Sequence, residues 1–186
     1  VLMDNNDTVA VWICKGCDIG DSVDVDALEA LAADDDRLDL SRVAIRGWSF
    51  GGYLAAVAVL RRPDVFHAAV AGAPVTDWRL YDTHYTERYL GHPEVNPRAY
   101  ELTDLCAEAA LLTRPLLLIH GLADDNVVAA HTLQLSRALL EAGRPHRVLP
   151  LSGVTHMTPQ PEVAANLLLV QLAFLQEALG LSPSST

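Results

Sequence analysis

Apolar residues along the chain fall into two alternating patterns. Short, nearly unbroken apolar runs read as strands, and Pro115-Leu116-Leu117-Leu118-Ile119-His120 is the clearest of them. A run of that kind suits a strand covered on both faces of a parallel sheet. Ser41-Arg42-Val43-Ala44-Ile45-Arg46 and the segments 67–71 and 147–151 have the same character, and Val9-Ala10-Val11-Trp12-Ile13 is a further candidate. Between them the apolar spacing becomes helical. Residues 25–33 carry good helix formers and end at Asp34-Asp35-Asp36-Arg37. Residues 53–60 are alanine-rich and stop at Arg61-Arg62-Pro63. Residues 126–142 are predicted to be a helix with Gly143 as its cap, and 163–179 a closing amphipathic helix. Segment 75–104 is aromatic, polar and irregular, apart from a helix predicted around 81–89. Strands alternating with helices of roughly 10–17 residues indicate βαβ units and a parallel sheet.

Composition narrows the picture. The 186 residues suffice for one domain of ordinary size, and 51% hydrophobic residues allow a substantial core. A net charge of −11 repels phosphate backbones, so nucleic acid is not expected as a partner. The apolar stretches at 116–119 and 167–175 are too short to span a membrane, which takes about 20 residues. No basic region followed by an apolar core opens the chain, and three cysteines cannot form a disulfide framework, so a cytoplasmic setting is the expectation. The aspartates 34–36 read as a solvated loop. Cys14-Lys15-Gly16-Cys17 lacks the second close pair that a zinc site would use, so no metal or cofactor is expected.

Gly47-Trp48-Ser49-Phe50-Gly51 fits the G-x-S-x-G nucleophile elbow, in which a serine stands on a sharp turn between a strand and a helix. The context agrees: a strand precedes it and an alanine-rich helix follows. A serine hydroxyl needs a base within hydrogen-bond reach, and the base needs an orienting carboxylate. In α/β-hydrolases these follow in the order serine, acid, histidine, each on a loop after a strand. Asp124 and Asp125 both lie just past the strand 116–120, and position alone does not choose between them. Of the seven histidines, His156 lies downstream of that loop and past the strand 147–151; His67, His120 and His146 read instead as core or strand-end residues. The backbone N–H of Phe50 is the expected oxyanion donor.

Three stretches then resemble the prolyl oligopeptidase family, most closely its dipeptidyl peptidase IV branch. They are Arg46-Gly47-Trp48-Ser49-Phe50-Gly51-Gly52-Tyr53, His120-Gly121-Leu122-Ala123-Asp124-Asp125-Asn126-Val127 and Trp78-Arg79-Leu80-Tyr81-Asp82-Thr83-His84-Tyr85-Thr86-Glu87-Arg88-Tyr89. The resemblance runs from about 25 to 180. It implies an α/β-hydrolase fold, here the C-terminal portion of a mostly parallel sheet flanked by helices. Residues 23–181 would form the catalytic domain, without its first strands and its propeller; 1–22 fall outside the resemblance and 182–186 form a tail. It also implies Ser49 as nucleophile, Asp124 rather than Asp125 as the acid, and His156 as base, although Thr155-His156-Met157 departs from the family's usual Asp/Glu-His-Gly. Asn126 would help to hold the substrate carbonyl. Trp78, Tyr81 and Tyr85, with Val75 and Val127, would line a pocket for proline, whose ring offers only apolar surface. By residue type alone these aromatics would be ordinary core.

The resulting expectation is a serine peptidase acting on peptides, cleaving after proline or alanine near the N-terminus through an acyl-enzyme on Ser49. An acylaminoacyl peptidase, an esterase or a catalytically inactive hydrolase fragment are the alternatives. The resemblance allows a homodimer.

Overall fold

The computed structural model describes residues 25–35 and 37–181, together with the strand segments 2–4, 7–9 and 11–13. Cys14, Cys17 and the tail 182–186 lie outside the described residues. Strands β1 (Leu2–Asp4) and β2 (Asp7–Val9) form an antiparallel hairpin. Strands β3 (Val11–Ile13), β4 (Ala44–Trp48), β5 (Ala68–Gly72), β6 (Leu116–Gly121) and β7 (Arg147–Leu151) form one parallel sheet in that spatial order. Helix α1 (Val25–Asp34) lies between β3 and β4, α2 (Phe50–Arg61) between β4 and β5, and α5 (Ala130–Glu141) between β6 and β7. Helices α3 (Thr83–Leu90) and α4 (Pro97–Leu102) occupy the long β5–β6 connection, and α6 (Pro161–Ala178) closes the chain.

Side-chain alternation along the central strands explains why their sequences read as continuous apolar runs. Ile45, Ala69, Ala71, Leu116 and Leu118 point to one face, where Leu28 of α1, Leu54 of α2 and Leu135 and Leu139 of α5 cover them. Ala44, Ala68, Val70, Leu117 and Ile119 point to the other, where Leu167, Phe174 and Leu175 of α6 cover them. Sequential strand order with crossovers of one hand places α1, α2 and α5 on the same side, leaving the second face to α6. Each central leucine or isoleucine so buried contributes about 1.5–3 kcal/mol.

Several element boundaries differ from those the sequence predicts. Strand β4 starts at Ala44 rather than Ser41, because the Asp39 carboxylate captures the N–H and hydroxyl of Ser41 and the Arg42 side chain in a turn. Segment 126–142 is helical only from Ala130: the Val127 carbonyl, which a longer helix would pair with the N–H of His131, accepts from His120 instead, and His131 bonds to Val128. The irregular stretch contains α4, with Pro97 in its first turn. Among the described residues no helix is long and apolar enough to cross a membrane.

Candidate active site

Strand β4 runs to Trp48 and α2 starts at Phe50, so the turn between them is the single residue Ser49. Ser49 has φ 59° and ψ −122°, a conformation that side chains other than glycine's rarely adopt. Its N–H is pinned to the carbonyl of Gly72 at 2.8 Å, and its own carbonyl accepts from Tyr53. The turn is tight enough to dictate its neighbours. A Cβ at Gly47 would meet the Gly51 carbonyl oxygen at 1.9 Å, and one at Gly52 would meet the Gly72 oxygen at 2.3 Å. Phe50 begins α2, where backbone N–H groups have no intrahelical partner and the helix end carries partial positive charge.

The acid is held from several sides. Asp124 sits three residues past β6 with its carboxylate fully buried. Its Oδ1 accepts from the N–H groups of Asn126 at 3.0 Å and Val127 at 2.9 Å. Its Oδ2 lies 2.8 Å from Nδ1 of His156, which is the geometry of a carboxylate orienting an imidazole. Asp125, its sequence rival, faces solvent. The loop bearing His156 is stitched to the acid loop by backbone bonds from Leu122 to Leu151 and from Ala123 to Val154. It crosses so close to the end of β6 that a Cβ at Gly121 would stand 2.4 Å from the oxygens of Val154 and Thr155. Trp48 Nε1 donates to the carbonyl oxygen of His156 at 2.7 Å, joining this loop to the elbow. Ser49 Oγ and His156 share no hydrogen bond.

Beside the elbow lies an aromatic cluster. Trp78 stacks with Tyr85 at 6.0 Å between ring centroids and meets Tyr81 edge-on at 5.9 Å. Phe50 and Tyr53, absent from the predicted pocket, join it at 6.0 and 5.6 Å from Trp78. Trp78, Val75 and Val127 are buried, so they form its floor, whereas Tyr85 is 38% exposed. Burial comes first among the causes that raise the phenols of Tyr81 and Tyr85. The Tyr81 hydroxyl donates to Oδ1 of Asn126 at 3.1 Å, linking the cluster to the acid loop. A separate cleft of about 630 Å³, lined by Arg114, Arg144, His146 and Phe174, opens at the starts of β6 and β7, the strand ends opposite Asp124 and His156.

Sequence reasoning did not anticipate two further contributors. Trp48 sits inside the elbow motif as an unspecified residue. His120, read from the sequence as core, is indeed buried, yet its Nε2 is 3.6 Å from Oδ2 of Asp124. The available signal for it was a polar residue closing an otherwise apolar strand, four positions before an acid.

A strained serine between a parallel strand and its helix, with an acid and a histidine carried at the ends of later strands, is the architecture of the α/β-hydrolases. The chain belongs to one family of them: residues 21–182 match the prolyl oligopeptidase family. Dipeptidyl peptidase 8 of Mus musculus is 45% identical over 159 residues, 84% of this chain and 18% of its own length. Dipeptidyl peptidase 4 of Bos taurus is 42% identical over 109 residues, 57% of this chain and 14% of its own. The crystal structure of dipeptidyl peptidase 4 from Porphyromonas gingivalis superposes with a TM-score of 0.76 at 32% identity, covering 84% of this chain and 22% of that one. The chain therefore spans less than a fifth of the length of these curated relatives.

Proposed function

We propose that this chain carries the catalytic centre of a serine peptidase of the dipeptidyl peptidase type, acting through an acyl-enzyme on Ser49. The observation that carries the reading is the 2.8 Å contact between His156 Nδ1 and Asp124 Oδ2 beside a serine held at φ 59°. In the first half-reaction Ser49 Oγ bonds to the scissile carbonyl carbon while His156 Nε2 takes its proton. Asp124 steadies the imidazolium through Nδ1–H. The Phe50 N–H stabilises the oxyanion, a type of contact whose loss costs roughly 10²–10³ in turnover. Collapse of the tetrahedral intermediate breaks the C–N bond, and His156 returns the proton to the leaving amine. Water then repeats the sequence and frees Ser49.

The aromatic cluster supports a proline or alanine side chain before the scissile bond. Phe50, Tyr81 and Tyr85 offer flat apolar faces over the buried Trp78 floor, and Asn126, tethered to Tyr81, offers an amide to the substrate carbonyl. A homodimer is supported by the outer side of α6, which exposes Leu168, Leu169 and Val170, and by β7 at the edge of the sheet. The low cysteine count, with Cys106 free, agrees with a cytoplasmic setting.

Labelling of the chain with a fluorophosphonate tests the reading. Label on the unmodified chain and none on Ser49→Ala is the expected result, and label persisting on Ser49→Ala would overturn it. A panel of X-Pro amides, acyl-peptides and simple esters separates a dipeptidyl peptidase from an acylaminoacyl peptidase or esterase.

A further inference from the structure

His120 is the penultimate residue of β6, just before the acid loop; it is 2% exposed, and both of its ring nitrogens are engaged. Nε2 lies 2.7 Å from the carbonyl oxygen of Val127, and Nδ1 lies 2.7 Å from the hydroxyl of Thr132 on α5. A carbonyl can only accept, so Nε2 carries the proton. Nδ1 is then the acceptor, and the Thr132 hydroxyl donates to it. The ring is thereby locked as one neutral tautomer, and burial disfavours its charged form further.

The bonds form a continuous chain. His120 holds the carbonyl of Val127, the N–H of Val127 holds Oδ1 of Asp124, and Oδ2 of Asp124 holds His156. The same Nε2–H edge stands 3.6 Å from Oδ2, presenting its positive end to the carboxylate. Val127 is also part of the floor of the aromatic cluster, and its neighbour Asn126 bonds Tyr81. Without His120 the Val127 carbonyl would be buried with no partner, and the turn whose N–H groups fix Asp124 would lose an anchor on its far side. We propose that His120 is a positioning residue that sets the acid–histidine pair through the backbone of Val127, with Thr132 selecting the tautomer that makes this possible. This rests on the peptidase reading of Ser49, Asp124 and His156.

The test compares the full chain with His120→Phe, His120→Gln and Thr132→Val. It follows hydrolysis of an X-Pro amide and the low-field proton resonance of the His156–Asp124 hydrogen bond. Phenylalanine keeps a buried ring and removes both bonds, whereas glutamine can place an amide N–H where Nε2 stands. His120→Phe is expected to lower kcat about 10- to 100-fold with a smaller change in KM and to shift or broaden the resonance, while His120→Gln stays within about threefold of the parent. Thr132→Val should broaden the same resonance, because the tautomer is no longer enforced. A folded His120→Phe protein with unchanged kcat and resonance overturns the proposal. Should that variant not fold, a glutamine variant that folds and loses the resonance, or a Thr132→Val protein with an unaltered one, overturns it equally. Absence of fluorophosphonate labelling on the parent chain defeats the peptidase reading instead, and the proton resonance still reports on His120.

Discussion

The indole nitrogen of Trp48 and the backbone oxygen of His156 meet at 2.7 Å, so the residue immediately before the strained serine also holds the loop of the histidine. The acid and histidine loops are already tied to each other by backbone bonds from Leu122 and Ala123. The Trp48 indole is therefore a side-chain link between that pair of loops and the elbow. Trp48→Phe keeps an aromatic ring against Gly72 and removes only the donor. It should lower kcat for an X-Pro amide about tenfold while leaving the unfolding midpoint little changed. Unaltered steady-state kinetics would show that the link is dispensable.

Ser49 stores backbone strain for the sake of its exposed position. Ser49→Gly relieves φ 59° and loses the nucleophile. The folded state should gain roughly 1 kcal/mol, the strain released being partly offset by the larger entropy of glycine in the unfolded chain. Urea denaturation of the two proteins measures this, and a less stable glycine variant would contradict the strain assignment.

Asp124 and Asp125 are adjacent in sequence and differ in everything that matters to the site: one is buried against His156, the other faces water. In Asp124→Asn the amide NH₂ would face Nδ1–H of His156, forcing the imidazole into the tautomer that cannot accept the serine proton. Turnover should fall about 10⁴-fold. Asp125→Asn should change it by less than about twofold, as surface substitutions do. Kinetics of the pair on one substrate decide between them.

Burial pushes the His131 imidazole down to about 4, with the nearby His120 as a lesser cause. Its Nδ1 accepts from the N–H of Thr76, and its Nε2 is buried with no partner. In the unfolded chain the ring titrates near 6.5. Below about 6.5 the unfolded state therefore takes up a proton that the folded state refuses until about 4. Stability from this group is complete above that window and falls as pH drops through it, by roughly 3 kcal/mol in total. Denaturation at pH 7, 5.5 and 4 should show His131→Gln losing less stability on acidification than the parent; equal slopes would sink the assignment.

Much of the layout is visible in the residue pattern because the sheet is parallel and covered on both faces. β5 and the first four residues of β6 are unbroken apolar segments, and the elbow lies between a strand and an alanine-rich helix. What periodicity could not show depends on side chains competing with the backbone. Asp39 delays β4 by taking an N–H group that a longer strand would have used, and His120 delays α5 by taking the Val127 carbonyl that a longer helix would have used. The choice of Asp124 over Asp125 needed either a family resemblance or the position of His156, since neighbouring carboxylates look alike along a sequence. Trp48 and His120 escaped notice for a similar reason: each reaches a backbone carbonyl, that of His156 and that of Val127 respectively, which carries no signature in the residue types.

Strand β5 reads Ala68-Ala69-Val70-Ala71-Gly72, and every position is buried. Next to it a Cβ on Gly72 would strike the Trp48 ring at 1.9 Å, and the Gly72 oxygen already abuts Gly52. The middle of the sheet is built from the smallest side chains available, with no slack to absorb an extra methyl group. In a library of random substitutions, inactivating changes should concentrate at these few positions as gains in volume, whereas the largely exposed segment 92–95 after α3 would tolerate a wide range of replacements.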